Sequence, residues 1–472
     1  MNTLKNQAVN PYLPSWEYIP DAEPYVFNDR VYIYGSHDRF NGHAYCLNDY
    51  VCWSAPVNDM SDWRYEGVIY KKTDDPLNKE ANMCLYAPDV TVGPDGRYYL
   101  YYVLDKVPVV SVAVCDTPAG KYEFYGYVQD KDGGRLGERE GDEPQFDPGL
   151  LTEGDTTYLY TGFCAIGDRS RSGTMATVLG ADMLTIIEET VTITPSEPFS
   201  KGSSFEGHEF FEAPSMRKIG DTYYLIYSSI AMHELCYATS KHPTKGFEYG
   251  GVIVSNNDLH IASYKPANKP MYYGGNNHGS IVEISDQWYI FYHRHTNGSN
   301  FSRQGCIEPI EILADGTIPQ VEMTSCGANG KPLIGRGEYP AYLACNLFCD
   351  DEAMYTGDLW MDTQFPKITQ DGKDGDEEIG YIANMTESAT AGFKYFDCQG
   401  ISKVKVKVRG YCNGAFEIKT SWDGSALATL PVNFTNVWTE YASDIEIPNG
   451  IQALYITYTG NGRANLASFT LE

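Results

Sequence analysis

The 472-residue chain is poor in basic residues, with 35 Lys and Arg against 63 Asp and Glu and a formal net charge of −28. Nucleic acids and anionic membrane surfaces bind through Lys and Arg, so this balance argues against both as partners. No stretch approaches the roughly 18 consecutive apolar residues of a membrane span, and the first residues lack the apolar segment of a secretory signal. The twelve cysteines form no CxxC pair. These features predict a cytoplasmic protein with reduced thiols.

Convincing signals for long helices are also missing, whereas aromatic residues make up 14% of the chain and tyrosine alone supplies 38 residues. Tyrosine favours β-strands and combines a flat apolar face with a polar tip. The excess fits an all-β protein, and it also fits a protein that stacks on sugar rings. Composition does not separate these two interpretations.

Five segments repeat one pattern, in which a polar or acidic residue precedes an apolar stretch, a turn and a strand with paired aromatics. The leading residues are roughly 60–70 positions apart, somewhat longer than common blade repeats. Four copies keep the same interval between the leading residue and the aromatic pair, and the copy at Asp89 is a residue or two shorter. The leading residues are Asp21, Asp89, Asp147, Glu212 and His278.

Each copy contains a hairpin followed by further strand-like runs, as expected for a four-stranded blade. Five blades predict a five-bladed β-propeller over residues 1–325. Residues 326–339 are rich in Gly and Pro and are predicted to be a linker. Residues 340–472 contain short alternating strands and are predicted to form a jelly-roll-like β-sandwich. The predicted class is therefore all-β.

The geometry of a propeller brings equivalent positions of the innermost strands together around one axis. Several carboxyl groups would then share one funnel, although like charges at close range raise pKa values and cost stability. Hydrolysis of a glycosidic bond requires such a set: a protonated acid for the leaving oxygen and an ionised carboxylate on the other side. A third carboxyl group can tune the acid.

The order of Asp21 in blade one, Ala87-Pro88-Asp89 in blade two and Glu212-Ala213-Pro214 in blade four resembles glycoside hydrolase family 43 over residues 10–325. Asn277-His278-Gly279-Ser280 adds to the resemblance. The family consists of five-bladed propeller enzymes that act on xylose- and arabinose-containing polymers. By resemblance, Asp21 is the general base, Glu212 the general acid, and Asp89 the residue that tunes the acid and helps to bind sugar. The family inverts the anomeric centre, which implies a separation of about 6.5–9.5 Å between Asp21 and Glu212.

One departure from the family pattern concerns the base. Asp21 is followed by Ala22-Glu23-Pro24, whereas the family usually has Asp-Pro at this point. Strand alternation turns Glu23 to the same side as Asp21, so Glu23 is an alternative base. The spacing to the strand aromatics favours Asp21.

The remaining candidate residues concern substrate and metal. The resemblance implies that Arg303 binds sugar hydroxyls and that His278 lies on the axis beside a calcium ion or a water cluster, so His278 is both a substrate-binding and a metal candidate. No cofactor is expected for the chemistry itself. Trp53 and Phe40 are candidate sugar platforms in loops near blade one. Asp147 is predicted to make structural hydrogen bonds or to form the floor of the funnel.

The C-terminal region resembles a family 6 carbohydrate-binding module. The resemblance rests on GFKYFDCQGISKVKVKVRG, TSWDGSALATLPV, Trp438 and the closing stretch around Asn465. Such modules carry sugar-stacking aromatics, for which Tyr381 and Trp422 are candidates, and often hold a structural calcium. A sandwich that only supports the catalytic domain fits the sequence equally well.

We therefore expect an exo-acting enzyme that releases xylose or L-arabinose from oligosaccharides, as a β-xylosidase, an α-L-arabinofuranosidase or both. The missing export signal favours short oligosaccharides, because these enter cells and polymers do not. An endo-acting arabinanase of the same family and a non-catalytic sugar-binding propeller are the alternatives. The sequence does not indicate an oligomeric state.

Overall fold

A computed structural model describes residues 6–262, 264–350 and 365–472. These residues form 29 β-strands and five short 3-10 turns, so the predicted all-β class is confirmed. Within them, no helix has the length and apolar character needed to cross a bilayer. The 3-10 turns are Lys72–Asp74, Pro76–Asn78, Glu197–Phe199, Gly327–Asn329 and Ala341–Leu343.

The predicted hairpins form because two-residue turns connect the first two strands of blades one, three, four and five, whereas residues 93–97 connect those of blade two. Asn28 and Asp29 have φ angles of 48° and 61°, and Ser285 and Asp286 have φ angles of 51° and 65°. Positive φ at both central residues is the signature of the type I′ turn, whose twist matches that of the flanking strands.

Four blades are four-stranded antiparallel sheets whose strand order follows the chain. The fifth sheet has three strands in the described part of the chain. Blade one contains β1 (Glu23–Phe27), β2 (Arg30–Tyr34), β3 (Tyr50–Pro56) and β4 (Arg64–Tyr70); blade two contains β5 (Asp89–Val92), β6 (Tyr98–Val103), β7 (Val110–Cys115) and β8 (Glu123–Tyr127). Blade three contains β9 (Gly149–Glu153), β10 (Thr156–Thr161), β11 (Gly173–Leu179) and β12 (Ile186–Pro195); blade four contains β13 (Phe210–Ile219), β14 (Thr222–Ser229), β15 (Glu234–Ser240) and β16 (Glu248–Ser255). Blade five contains β17 (Ser280–Ile284), β18 (Gln287–Thr296) and β19 (Ser299–Ile310).

The N-terminal segment lies along the outer strand of blade five. Tyr12 N–H donates to the Gly305 carbonyl at 3.3 Å. The side chain of Asn10 donates to the Ile307 carbonyl and accepts from the Ile307 N–H, both at 2.9 Å. The start of the chain thus joins blade five to the entrance of blade one, which stabilises the ring.

The C-terminal region forms one ten-stranded sheet that curls around its own apolar core. Two long strands, Ile401–Lys419 and Gly450–Leu471, pair with each other, and most of the other strands pair with one of these two. The strands are β20 (Leu333–Ile334), β21 (Gly337–Pro340), β22 (Asn346–Cys349), β23 (Lys367–Thr369), β24 (Tyr381–Met385), β25 (Ala389–Cys398), β26 (Ile401–Lys419), β27 (Ala428–Val432), β28 (Thr435–Ile447) and β29 (Gly450–Leu471). Residues 351–364 of the predicted sandwich lie outside the described residues.

The boundary region is built into this sheet. Within the predicted linker, residues 326–339, β20 pairs with β25 and β21 pairs with β29. One hydrophobic core also continues from blades four and five, through Ile226 and Tyr292, to Leu347 and Phe393 of the C-terminal region. The C-terminal sheet is therefore packed firmly on the propeller.

Candidate active site

A cavity of about 320 Å³ lies where the first strands of the blades converge. The backbone turns sharply at this level, since Asp21, Asp147 and Ala213 have φ angles of 58°, 45° and 66°. Left-handed backbone at residues other than glycine is costly and clusters at functional sites. The cavity is lined by Asp21, Tyr45, Cys46, Tyr86, Ala87, Phe146, Asp147, Phe163, Phe211, Glu212, Met232, Asn276, His278 and Arg303.

Asp21 is held in the cavity as an ionised carboxylate. Arg303 Nη1 donates to Asp21 Oδ1 at 2.9 Å. Burial opposes ionisation, but the charge of Arg303 holds the pKa of Asp21 well below its usual range. The His293 ring donates through Nε2 to the Asn276 carbonyl at 2.8 Å. Its Nδ1 accepts from the Asp21 N–H at 3.4 Å, so the two contacts together fit a neutral ring protonated at Nε2.

Arg303 is oriented by a second buried carboxylate, that of Asp38. Asp38 Oδ2 accepts from Arg303 Nε at 2.9 Å, and Asp38 Oδ1 accepts from Arg303 Nη2 at 3.0 Å. The backbone N–H of Arg303 also donates to Asp38 Oδ2 at 3.1 Å. This bidentate pair leaves Nη1 to face Asp21 and the cavity.

Glu212 has the opposite electrostatic environment. Burial, followed by the negative charge of Asp21, raises the pKa of Glu212 to about 8, and Arg303 offsets part of this. The strand β13 bulges around Glu212, because its pairing with β14 shifts between Glu212 and Ser215. The bulge turns the carboxyl group into the cavity, where it is protonated at neutral pH.

Asp147 and His278 complete the polar part of the cavity. Asp147 lies close to the Ala213 backbone N–H, directly beside Glu212. Burial, with the carboxylates of Glu212 and Asp21, raises the pKa of Asp147 well above its usual range. His278 Nδ1 lies 3.9 Å from Asp21 Oδ1 and 3.7 Å from Asp147 Oδ2. Burial lowers the pKa of His278 to about 4, so its ring is neutral.

Asp89 is not among the cavity residues, and its predicted placement in the sugar pocket requires correction. Its carboxylate accepts hydrogen bonds from the Tyr25 hydroxyl at 2.7 Å, the Val90 N–H at 2.6 Å and the Leu150 N–H at 2.7 Å. These bonds link blades one, two and three. Ala87, two residues earlier, lines the cavity instead.

Strand register explains this difference. Asp89 pairs with Tyr101 as Glu23 pairs with Tyr34, so Asp89 is equivalent to Glu23 and lies two residues further along its strand than Asp21. The shorter interval in the blade-two repeat was the sequence signal of this offset. Glu23 itself forms an ion pair with Arg217 at 2.8 Å outside the cavity, which favours Asp21 over Glu23 as the cavity carboxylate.

The two predicted sugar platforms are also absent from the cavity lining. Trp53 is a buried core residue of blade one, and its Nε1 donates to Glu17 at 2.9 Å. Phe40 is buried and stacks on Tyr18, with ring centroids 5.6 Å apart. Both rings have their faces covered by protein, so their placement as platforms is corrected.

The aromatic side chains that do line the cavity form a continuous wall that our sequence analysis did not identify. Phe146 contacts Tyr86 and Phe163, and Phe163 contacts Phe211, with ring centroids 5.2–5.5 Å apart. Phe146 and Phe211 directly precede Asp147 and Glu212. An aromatic residue directly before these two leading positions could therefore have predicted the aromatic wall from the sequence.

A five-bladed propeller whose axial cavity holds one ionised and one protonated carboxyl group defines a glycoside hydrolase. The model of the glycosyl hydrolases family 43 matches residues 17–318. The chain belongs to glycosyl hydrolase family 43, and this confirms the family expected from the propeller motifs.

Individual members of this family are similar to the chain over most of their own length. A xylosidase/arabinosidase of Thermoclostridium stercorarium is 78% identical over 471 residues, which is 99% of both chains. A solved β-xylosidase/α-arabinofuranosidase from a compost microbial metagenome, with xylotriose and in a calcium-free form, is 26% identical over 66% of this chain and 97% of its own, with a TM-score of 0.51. An arabinoxylan arabinofuranohydrolase of Bacillus subtilis, solved with cellotetraose, shares the fold over 99% of both chains, with a TM-score of 0.52 and 20% identity.

Proposed function

We propose that the protein is an inverting, exo-acting glycosidase that releases xylose, L-arabinose or both from xylo- and arabinoxylo-oligosaccharides. The observation that carries this proposal is the opposite protonation of Asp21 and Glu212 in one cavity. The 78% identical xylosidase/arabinosidase supports the pentose specificity. The two sugars present similar hydroxyl groups around the anomeric carbon, so one cavity serves both.

In the proposed reaction, Glu212 donates its proton to the leaving oxygen and Asp21 removes a proton from the attacking water. Each residue starts in the protonation state that its task requires. Arg303 keeps Asp21 ionised, and its fixed guanidinium is placed to bind sugar hydroxyls. His278, neutral and in the same cavity, offers a second polar contact to the sugar.

We propose Asp147, in place of Asp89, as the third carboxyl group of the mechanism. Asp147 lines the cavity, whereas Asp89 is enclosed by hydrogen bonds below it. Asp147 lies close to the Ala213 N–H beside the acid, and burial with the neighbouring Glu212 and Asp21 raises the pKa of Asp147 itself.

The size of the cavity supports exo action over the endo-arabinanase alternative. A volume of about 320 Å³ is at the small end of ligand pockets. The aromatic wall formed by Tyr86, Phe146, Phe163 and Phe211 closes one side. Such a pocket fits a terminal sugar unit better than the middle of a polymer.

A calcium ion beside His278 is not supported by the donor atoms there. Calcium prefers six to eight oxygen ligands, whereas His278 faces two carboxyl groups, one of which is already bonded to Arg303. In the described part of the chain, the group with converging ligand atoms is His208, Glu234 and Cys236, whose nitrogen and sulfur do not suit calcium. We derive no step of the reaction through a metal.

We propose that the C-terminal sheet supports the propeller and does not act as a separate sugar-binding module. Tyr381 and Trp438 meet edge to face with ring centroids 5.3 Å apart, and the Arg409 guanidinium lies 4.9 and 4.3 Å from these rings. Lys269 Nζ lies 4.5 Å from the Trp422 ring. The candidate aromatics therefore already have cationic partners. The predicted cytoplasmic location and lack of nucleic-acid and membrane partners remain predictions from charge and the N-terminal sequence.

The direct test is hydrolysis of xylobiose, p-nitrophenyl β-xyloside and p-nitrophenyl α-L-arabinofuranoside, with NMR detection of the first anomer released. We expect inversion and no cleavage of linear arabinan. Glu212→Gln should lose about 10²–10⁴-fold on xylobiose and less on p-nitrophenyl substrates, whose leaving groups need little protonation.

The matched control is Glu206→Gln, since Glu206 is exposed and, among the described residues, accepts from the nearby Gly202 N–H. It should retain wild-type rates. Folded Glu212→Gln protein that cleaves xylobiose at the wild-type rate would contradict the role of Glu212, and retention of configuration would contradict the inverting mechanism.

A further inference from the structure

The cavity depends on one loop of the propeller, residues 37–49, which we call the blade-one loop. Its Asp38 fixes Arg303 through the bidentate pair described above. Its Tyr45 and Cys46 form part of the cavity wall, and the Tyr45 ring lies 4.9 Å from the Arg303 guanidinium. A change in the position of this loop would therefore move both the sugar-binding arginine and the wall beside it.

The loop contains no regular secondary structure and is folded around Asp38. Cys46 N–H donates to Asp38 Oδ1 at 3.1 Å, and the side chain of Asn48 donates to the Asp38 carbonyl at 3.0 Å. The outer part of the loop, residues 39–45, projects from this base. Such a segment needs contacts from elsewhere to keep a single conformation.

Part of this contact comes from the propeller, where Phe40 stacks on Tyr18 and Tyr45 packs on Phe301. The rest comes from the C-terminal domain, through a loop at residues 370–380, which we call the C-terminal loop. Asp374 Oδ1 accepts from the Phe40 backbone N–H at 2.7 Å. Asp374 Oδ2 accepts from Asn48 Nδ2 at 3.1 Å. One carboxylate therefore joins the two arms of the blade-one loop.

Neighbouring contacts fix the C-terminal loop itself against the propeller. The Tyr18 hydroxyl donates to Gln370 Oε1 at 2.7 Å, and Gly380 N–H donates to Ser15 Oγ at 2.9 Å. Asp374 thus extends from a segment anchored on both sides. Its position is set by these anchors at Gln370 and Gly380 and not by the blade-one loop that it holds.

We propose that Asp374 is a positioning residue for the active site: it holds the blade-one loop, and through it Arg303 and Tyr45, across the boundary between the two parts of the chain. This proposal rests on the proposed glycosidase function. It gives the C-terminal domain a defined task, which is support of the sugar pocket of the propeller.

Kinetics and hydrogen exchange of the full-length protein test this proposal. In Asp374→Ala, we expect KM to rise about 5–10-fold with kcat changed less than about twofold, because loop position affects sugar binding more than proton transfer. Amide hydrogen exchange should become faster in residues 38–48. Asp374→Asn keeps one acceptor for the Phe40 N–H and should give intermediate values.

Asp376→Asn is the matched control. It removes the same charge from the same exposed loop, and the Asp376 carboxylate accepts from Lys373 N–H within that loop. Both its KM and its exchange should equal those of the wild type. In a double-mutant cycle, Asn48→Ala and Asp374→Ala should be less than additive, because both remove the Asn48–Asp374 contact, whereas Asn48→Ala also removes the bond to the Asp38 carbonyl.

Wild-type KM and wild-type exchange in Asp374→Ala would overturn the proposal, and so would an equal effect of Asp376→Asn. If the wild-type protein hydrolysed no pentoside, the proposed function would fail. The exchange measurement would still decide whether Asp374 holds the blade-one loop, so the two failures are distinguishable.

Discussion

At the scale of single residues, the cavity separates carboxyl groups by their surroundings. Asp21 has Arg303 at 2.9 Å, whereas Glu212 forms no ion pair within the described residues and is partly buried near the negative charge of Asp21. The protein thereby keeps one group ionised and the other protonated at the same pH. This arrangement lowers the stability of the folded protein at neutral pH, because Glu212 stays protonated there although it would ionise in the unfolded chain.

This cost predicts a pH-dependent effect of Glu212→Gln on stability. A Glu carboxyl group ionises near pH 4.5 in the unfolded chain, and Glu212 ionises near pH 8 in the folded protein. Below about pH 4.5 the group is protonated in both states. As pH rises from 4.5 to 8 the unfolded state loses the proton first, so the wild type loses stability over this interval.

Glutamine does not titrate, so we expect Glu212→Gln to gain about 1–3 kcal/mol relative to the wild type between pH 5 and pH 8, with partial solvent contact limiting the gain. Urea unfolding at the two pH values measures it. A difference between the two proteins that is equal at both pH values would contradict the raised pKa. Glu206→Gln provides the control without such a trend.

At the scale of elements, strand register decides which residue of each repeat reaches the cavity. Asp21 and Asp147 precede their strands β1 and β9 by two residues, whereas Asp89 begins β5. A shift of two residues keeps the side of the strand but changes the depth along the axis. Asp89 therefore joins Glu23 and Arg217 in a polar layer below the cavity, where burial and the charge of Glu23 raise the pKa of Asp89.

This register predicts different outcomes for two similar substitutions. Asp147→Asn should lower kcat/KM by about 10²-fold with little effect on stability, because Asp147 lies beside Glu212 in the cavity. Asp89→Asn should cost about 1–3 kcal/mol in stability with kcat/KM near that of the wild type, because an amide group cannot satisfy all three donors around Asp89.

Steady-state kinetics and urea unfolding of the two variants provide the comparison, and each variant is the control for the other. The interpretation would be wrong if Asp89→Asn abolished activity while remaining as stable as the wild type.

At the scale of the whole molecule, propeller and C-terminal sheet share buried ion pairs as well as an apolar core. Lys394 of β25 lies 3.2 Å from Asp258 and 3.1 Å from Glu322, and donates to the Tyr264 hydroxyl at 3.0 Å. Arg294 of β18 donates to the Ala344 and Tyr342 carbonyls at 2.8 and 2.7 Å. Two adjacent residues of blade five thus point to different sites: His293 contacts Asp21 of the active site, and Arg294 contacts the C-terminal domain.

We therefore expect the two parts to unfold together. Lys394→Met should destabilise the protein by about 3–5 kcal/mol, because it leaves the buried Asp258 without its cation. Calorimetry and loss of activity should report one coincident transition in the wild type. Two separate transitions, with activity following only one, would contradict the shared core. Lys405→Met, at a partly exposed pair with Glu472, is the control.

Much of the fold could be predicted from the sequence because its signals are local. Turn pairs such as Asn28-Asp29 and the alternating aromatics of each blade depend on residues a few positions apart. The same repeat placed Asp21, Glu212 and His278 near the axis, and the structure brings these residues together with Arg303. The placements of Asp89, Trp53 and Phe40 were wrong because depth along the axis and the covering of an aromatic face depend on neighbouring blades.

The sequence by itself determined the class of the fold, the number of blades and two of the cavity carboxyl groups, because strand periodicity and turn chemistry act over short distances. Only the tertiary structure decided between the two positions predicted for Asp147, and only it placed Asp38 on Arg303 and Asp374 on the blade-one loop from more than 300 residues away. These contacts exist only after the ring closes and the C-terminal sheet packs on it, and no local pattern records them.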